Sequence, residues 1–215
     1  MQENDKISEY RQKLKSIILE AAMKAFISEG IRAVKMDDIA NSLSISKRTV
    51  YELFSNKEDL LLECVKMSYH KKRMDMKAFT DNKGHNVMDI FLYAFSQKVK
   101  DIKSVNPLFY SEIAKYPKLI QFSDKIHKEA KQEFLLLLRR GTDEGYFCSP
   151  LNHELIASVI DMQNQFVMEK KLYQKYPMDM VFFNLIHLSL RGLCTQKGIT
   201  ELDKFIHDFK KENNL

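Results

Sequence analysis

Glycine and proline are scarce, six and four in 215 residues. A sheet protein of this length needs many tight turns, and neither Asn-Gly or Asp-Gly turns nor alternating β-branched runs occur, so sheet architectures are excluded. Cysteine is rare too. Cys64, Cys148 and Cys194 are odd in number and far apart, which rules out a disulfide framework or a CxxC metal site and leaves three reduced, partly buried thiols. No apolar run reaches the ~18 residues that cross a membrane. The opening residues Met1-Gln2-Glu3-Asn4-Asp5 lack the apolar stretch of a signal peptide, so the expectation is a cytoplasmic protein without a membrane partner. HExxH, GxSxG and phosphate-binding glycine loops are missing, and the six histidines are dispersed. An enzyme is therefore not expected, and neither a metal nor a cofactor is called for.

What is present is helical periodicity. Apolar side chains recur at three- and four-residue spacing almost throughout, within a composition that is 45% hydrophobic and 29% charged. An all-α fold follows. The first helix is expected over 8–29, with Ile18, Ala21, Ala22, Ala25 and Phe26 as its apolar stripe and Gly30 as its left-handed stop. Short helices follow over 37–43, where Asp37 and Asp38 face the positive end of the dipole, and over 47–54, capped by Ser46. Ser55 with Glu58 fits a capping box opening a fourth helix that runs to about 79. After the loop 81–84, helices are expected over 87–103, 108–115 and 117–140, jointed at Asn106-Pro107 and Tyr116-Pro117. Residues 141–150 form a loop, and further helices cover 153–175, 178–196 and 200–211.

Residues 36–62, MDDIANSLSISKRTVYELFSNKEDLLL, carry the specific signal. Two short helices joined by a tight turn meet through Ile39, Leu43, Ile45, Val50 and Phe54, with Ala40 small where they approach, and this matches a helix-turn-helix. The stripe on 18–26 must complete its core. Outward, the second helix presents Ser46, Lys47, Arg48, Thr49, Tyr51 and Glu52. Arg48 and Lys47 can donate to guanine O6 and N7, while Ser46, Thr49 and Tyr51 offer hydroxyls to phosphate. Lys57 adds a cation beside the free N–H groups of a helix start. Net charge helps little: +5 overall, and nine Lys/Arg against eight Asp/Glu in 1–56. The basic run Lys66, His70, Lys71, Lys72, Arg73 reads as a solvated helix face.

This stretch resembles the TetR family of one-component regulators. The resemblance lies in the helix before Gly30, in Asp38-Ile39-Ala40, in the turn Leu43-Ser44-Ile45-Ser46, and in Thr49-Val50-Tyr51, Phe54 and Asn56-Lys57-Glu58-Asp59-Leu60-Leu61. It is close over 17–62; beyond, agreement is confined to helix count, length and the Glu144-Gly145-Tyr146-Phe147 turn. It implies operator contact by Lys47, Arg48, Thr49 and Tyr51, and phosphate contact by Lys57. Lys35-Met36 departs from the hydroxyl cap that many relatives carry, and Lys35 becomes the substitute phosphate ligand. The implied organisation is a helix-turn-helix DNA-binding domain at 1–56 and a larger helical effector-binding and dimerisation domain at 57–215.

The last long helix pair supports dimerisation on physical grounds as well. Its apolar residues wrap further round than one intramolecular face requires, so a self-complementary interface is expected from Leu155, Val159, Met162, Phe166, Phe182, Leu185, Ile186, Ser189 and Leu193. For a pocket the candidates are Met67, Tyr69, Met74, Phe91, Phe95, Phe109, Tyr110, Phe134 and Leu138, since Met and aromatic side chains suit a large apolar effector. The reading is a ligand-responsive repressor that binds a palindromic operator in double-stranded DNA as a homodimer. The alternative is a helical small-molecule-binding or protein-interaction module with a vestigial DNA-binding motif.

Overall fold

The computed structural model describes residues 2–213, with the side chains of 9–209 and 211. The all-α expectation is met. Among these residues the elements are α1 (Gln2–Glu29), α2 (Met36–Ser42), α3 (Lys47–Leu53), α4 (Lys57–Thr80), α5 (Val87–Lys103), α6 (Pro107–Ile113), α7 (Pro117–Asp143), α8 (His153–Glu169), α9 (Met178–Leu193) and α10 (Gln196–Asn213), plus a 3-10 turn at Leu172–Gln174. The only β pairing among them is an isolated antiparallel bridge between Phe147 and Cys194.

The chain divides into two compact units, Met1–Met74 with Ser104–Ser123, and Asp75–Lys103 with Asp124–Leu215. The sequence reading put its boundary at 56/57, the first residue of α4; the compact units part instead within α4, and the first also takes in α6.

In the first unit, Ile18, Ala22 and Phe26 of α1 are fully buried with Ile31, Ala40, Val50, Leu60, Leu61 and Cys64. Each large side chain so buried contributes about 1.5–3 kcal/mol. Phe109 of α6 and Leu119 of α7 join the same core. Gly30 ends α1 at φ +91°, a conformation that favours glycine. Asn106 fastens α6 to α1: its backbone N–H donates to Ile27 O at 2.8 Å, its Nδ2 to Ser28 O at 3.0 Å, and its Oδ1 caps Leu108 N at 2.9 Å. The Asn-Pro dipeptide read as a joint is therefore a helix cap with proline at the first helical position. The α4 cap also differs from the expected Ser55–Glu58 box. Asn56 is the cap, its Oδ1 accepting from Asp59 N at 2.9 Å.

In the second unit, Phe95 meets Phe183 and Phe209 at centroid distances of 5.7 and 5.5 Å, the centre of a core with Val87, Val99, Leu138, Leu190 and Ile206. The Phe147–Cys194 bridge is completed by Cys148 N donating to Leu193 O and Thr195 N donating to Tyr146 O, both at 2.9 Å. Thr195 then caps α10, with Ile199 N donating to its carbonyl at 2.9 Å, and the helix starts at Gln196, four residues before the expected position. The helix expected over 153–175 stops at Glu169. Lys171 adopts φ +49°, and the turn that follows buries Tyr173. No glycine or proline marks that break, which is why periodicity carried the helix through it.

Helix α7 runs on through Gly141, where the loop was expected, and the Phe147 ring packs on that glycine. A Cβ there would overlap the ring, and Phe147 is 3% exposed and cannot swing out. Gly141→Ala is therefore expected to destabilise the protein by about 1–3 kcal/mol, read as a lower urea midpoint with unchanged slope.

Candidate nucleic-acid interface and ligand cavity

The turn between α2 and α3 is set by backbone bonds, Ile45 N to Ala40 O at 3.0 Å and Ser44 N to Asn41 O at 3.1 Å, with Ser44 at φ +54°. Ser46 caps α3, its Oγ accepting from Thr49 N at 3.1 Å and sharing a hydrogen bond with Thr49 Oγ1 at 2.8 Å. The cap anchors the first turn of α3. Val50 and Phe54 point into the core, and Ser46, Lys47, Arg48 and Tyr51 lie on the exposed side, Tyr51 at 50% exposure. Thr49 is half-buried, and its hydroxyl faces the cap.

The two cations of this face are held by carboxylates. Lys47 Nζ donates to Asp37 Oδ2 at 2.5 Å and Arg48 Nε to Glu52 Oε1 at 2.7 Å. The hydrogen bond to Asp37 raises the Lys47 pKa, and that to Glu52 raises the Arg48 pKa. Both cations are exposed to solvent, so these carboxylates are exchangeable for phosphate or base acceptors. Asp37 entered the sequence reading only as a dipole partner; the ten-residue spacing to Lys47 carries no local signal.

Lys35 is exposed at the start of α2, where Asp38 supplies the missing cap by accepting from Lys35 N at 2.9 Å. Lys57 is engaged differently from a free phosphate ligand. Its ammonium is half-buried and donates to Val34 O at 2.7 Å and Arg32 O at 3.4 Å, and loss of hydration lowers its pKa. It staples the α1–α2 loop from one side, and Glu112 of α6 does so from the other by accepting from Arg32 N at 2.7 Å. The loop is thereby tied to α4 and to α6.

The second unit contains a cavity of about 540 Å³ among α5, α7, α8 and α9, with Met76 of α4. Of the expected pocket residues, Phe91, Phe95 and Phe134 line it. Leu138 is instead core, 1% exposed. Met67, Tyr69, Met74, Phe109 and Tyr110 lie in the first unit and do not line it: Phe109 is in the core of that unit with Met67 against it, Tyr69 meets Phe122 edge-on at 5.9 Å, and Met74 is 73% exposed. Core and cavity walls share the same helical spacing, so sequence could not separate them.

The expected dimer residues split the same way. Leu155, Val159, Met162 and Phe166 form an exposed stripe on α8, whereas Phe182, Leu185, Ile186, Ser189 and Leu193 line the cavity. On α9 the exposed large apolar residues are instead Met180 and Leu188, neither among the expected interface positions. Each helix has two apolar faces about one residue step apart, and a list of apolar positions merges them.

Residues 18–64 match the family described as bacterial regulatory proteins, tetR family. The chain is 45% identical over 49 residues to the HTH-type transcriptional regulator YhgD of Bacillus subtilis (strain 168), 23% of this chain and about a quarter (26%) of that protein. It is 23% identical over 145 residues to the HTH-type transcriptional repressor KstR2 of Mycobacterium tuberculosis, 65% of this chain and 72% of that one. Among solved structures it is similar to a transcriptional regulator from Saccharomonospora viridis in complex with choline, with TM-score 0.70, 18% identity, and 86% and 100% of the two chains covered. The transcriptional regulator FadR from Bacillus subtilis in complex with stearoyl-CoA gives TM-score 0.61 and 20% identity over 83% and 98%. At these identities the structures show the fold alone.

The scaffold behind the interface has an acid-sensitive tie. Glu63 of α4 accepts from Lys66 at 2.9 Å and from Lys15 of α1 at 3.2 Å; chiefly the Lys66 bond holds its carboxyl below the ordinary value of 4.5, against burial. A depressed carboxyl pKa stabilises the fold above the unfolded value, and that stability is lost as pH falls through the folded one. Glu63→Gln is expected to lower stability at pH 7 by about 0.5 kcal/mol. The difference from wild type should vanish on acidification below the carboxylate range, read by urea melts along a pH series.

Proposed function

We propose that this chain, whose residues 18–64 match the tetR family of bacterial regulatory proteins, is a ligand-responsive repressor acting as a homodimer on a palindromic operator. The observation that carries the reading is the face of α3: Ser46, Lys47, Arg48 and Tyr51 project from a helix whose opposite side, Val50 and Phe54, is buried. Such a face suits a major groove. The first turn meets base edges, with Arg48 and Lys47 as donors to guanine, and Ser46, Thr49, Tyr51, Lys35 and Lys57 serve phosphate. Residues 1–56 are the DNA-contacting domain in this reading, and the remainder, 57–215, binds effector and partner.

The exposed stripe of Leu155, Val159, Met162 and Phe166 with Met180 and Leu188 supports self-association, since such a patch on a soluble chain marks an interaction surface. A two-fold dimer would set two α3 helices roughly 34–36 Å apart, one turn of DNA. The cavity is the effector site of this reading, in keeping with the similar structures solved in complex with choline and with stearoyl-CoA. An effector there releases DNA only by binding the two dimer states unequally. No helix among the described residues is long and apolar enough to cross a membrane, which agrees with a cytoplasmic regulator.

Gel shifts against genomic fragments test DNA binding directly: sequence-selective retardation that weakens steeply with salt is expected. Arg48→Ala should weaken the selected operator about 10- to 100-fold and relax base preference. Lys57→Met should weaken operator and unrelated DNA alike. Wild-type operator affinity in both variants would remove the docking assignment. Phe166→Glu should convert a sedimenting dimer into a monomer; a wild type that is already monomeric at micromolar concentration would remove the dimer.

A further inference from the structure

The cavity wall is mostly apolar, and besides its charged groups it carries a hydrogen-bonded neutral pair. Ser189 of α9 donates from Oγ to Gln163 Oε1 of α8 at 2.8 Å, and both residues line the cavity. Because the amide oxygen is occupied by this hydroxyl, the amide plane is set, and its nitrogen, with two N–H donors, is left without another partner among the described residues. Around the pair the walls are apolar, with Ile90, Phe91, Phe134, Leu137, Ile186 and Leu190 among them.

The charged groups at the cavity balance one another. Lys98 and Lys131 are matched by Glu133 and Asp161. Asp161 accepts from His127 Nε2 at 3.0 Å and pairs with Lys131 at 3.8 Å, and the Lys98 ammonium lies 5.3 Å from the Phe182 ring centre. An anionic head group would meet Asp161 and Glu133, and a cationic one Lys98 and Lys131. Neither sign is favoured, and entry of an ion would require breaking pairs already made. The volume, about 540 Å³, is that of a lipid- or drug-sized occupant.

We propose that this cavity takes a neutral, predominantly apolar molecule with one acceptor oxygen, a ketone or alcohol, and that Gln163, oriented by Ser189, is the residue that reads that oxygen. The inference rests on the cavity being the effector site. It assigns the ligand class and a specificity-determining residue. A donor in a mostly apolar wall discriminates by what it leaves unmet: an alkane covers the amide without a partner, whereas a carbonyl satisfies it.

The test measures binding to the full chain in the absence of DNA, so its outcome is independent of operator recognition. Three probes of equal chain length, 2-tridecanone, tridecane and tridecanoate, compete with a fluorescent apolar dye at pH 7. The ketone is expected to bind roughly five- to tenfold tighter than the alkane, and tighter than the carboxylate. In Gln163→Leu that preference over the alkane should disappear while the alkane's affinity holds within about twofold. In Ser189→Ala, which frees the amide to rotate, the preference should shrink without vanishing. A structural role for the pair would leave the order of probes unchanged in both variants and overturns the proposal. Strongest binding by the carboxylate, or ketone preference surviving in Gln163→Leu, overturns it as well, and so does absence of binding by all three probes. Failure of the gel shift with a positive result here would instead remove the repressor reading and keep the ligand assignment.

Discussion

A seven-residue helix has no stability of its own in water, since isolated helices shorter than about 12–15 residues are marginal. The proposed DNA-reading surface sits on such a helix, α3, so everything it would offer to DNA depends on burial elsewhere. Val50 and Phe54 supply the contact, and Ile18, Ala22 and Phe26 of α1 with Leu60 and Leu61 of α4 supply the surface they meet. Remove that burial and the arrangement of Lys47 and Arg48 is lost with it. The exposed ion pairs of those two cations add little to stability, because solvent screens them. Their effect is on what the cations must give up when a phosphate or a base arrives.

Two groups from outside the helix-turn-helix hold the loop in front of α2. Lys57 donates to the carbonyls of Val34 and Arg32, and Glu112 accepts the Arg32 N–H. A lysine so placed is partly dehydrated, which lowers its pKa, and an ammonium with two donors engaged keeps a third for solvent or phosphate. One side chain can thus hold the loop and, in the proposed complex, touch the backbone of DNA. Cys64 in the same core is a different case. Burial pushes its thiol up to about 12, so it packs as a small hydrophobe and is not a reactive group.

In the second unit the same helices do two jobs with adjacent faces. On α8, Met162 and Phe166 point to solvent while Gln163 lines the cavity one residue step away. A helix turns about 100° per residue, enough to move a side chain from one surface to the next. Apolar character alone therefore says nothing about which of the two surfaces a position serves. Polar residues are the better guide: Gln163 and Ser189 fall at sites where a merely packed core would place carbon.

Residue pattern was enough for the all-helical class, the positions of the short helices and the identity of the outward residues on α3, because these follow from local spacing, caps and the small number of ways two short helices can meet. The pairing of Lys47 with Asp37, the capture of Lys57 by Val34 and Arg32, and the attachment of Asn106 and Glu112 to α1 and its loop were settled by folding, since they join groups from 10 to 80 positions apart. The break at Lys171 belongs with them. A backbone turn without glycine or proline is held by what it buries, here Tyr173, and no local rule encodes it. So does the division of apolar residues between core, cavity and exposed stripe: local spacing states that a side chain avoids water, and only its neighbours in space define what it meets instead.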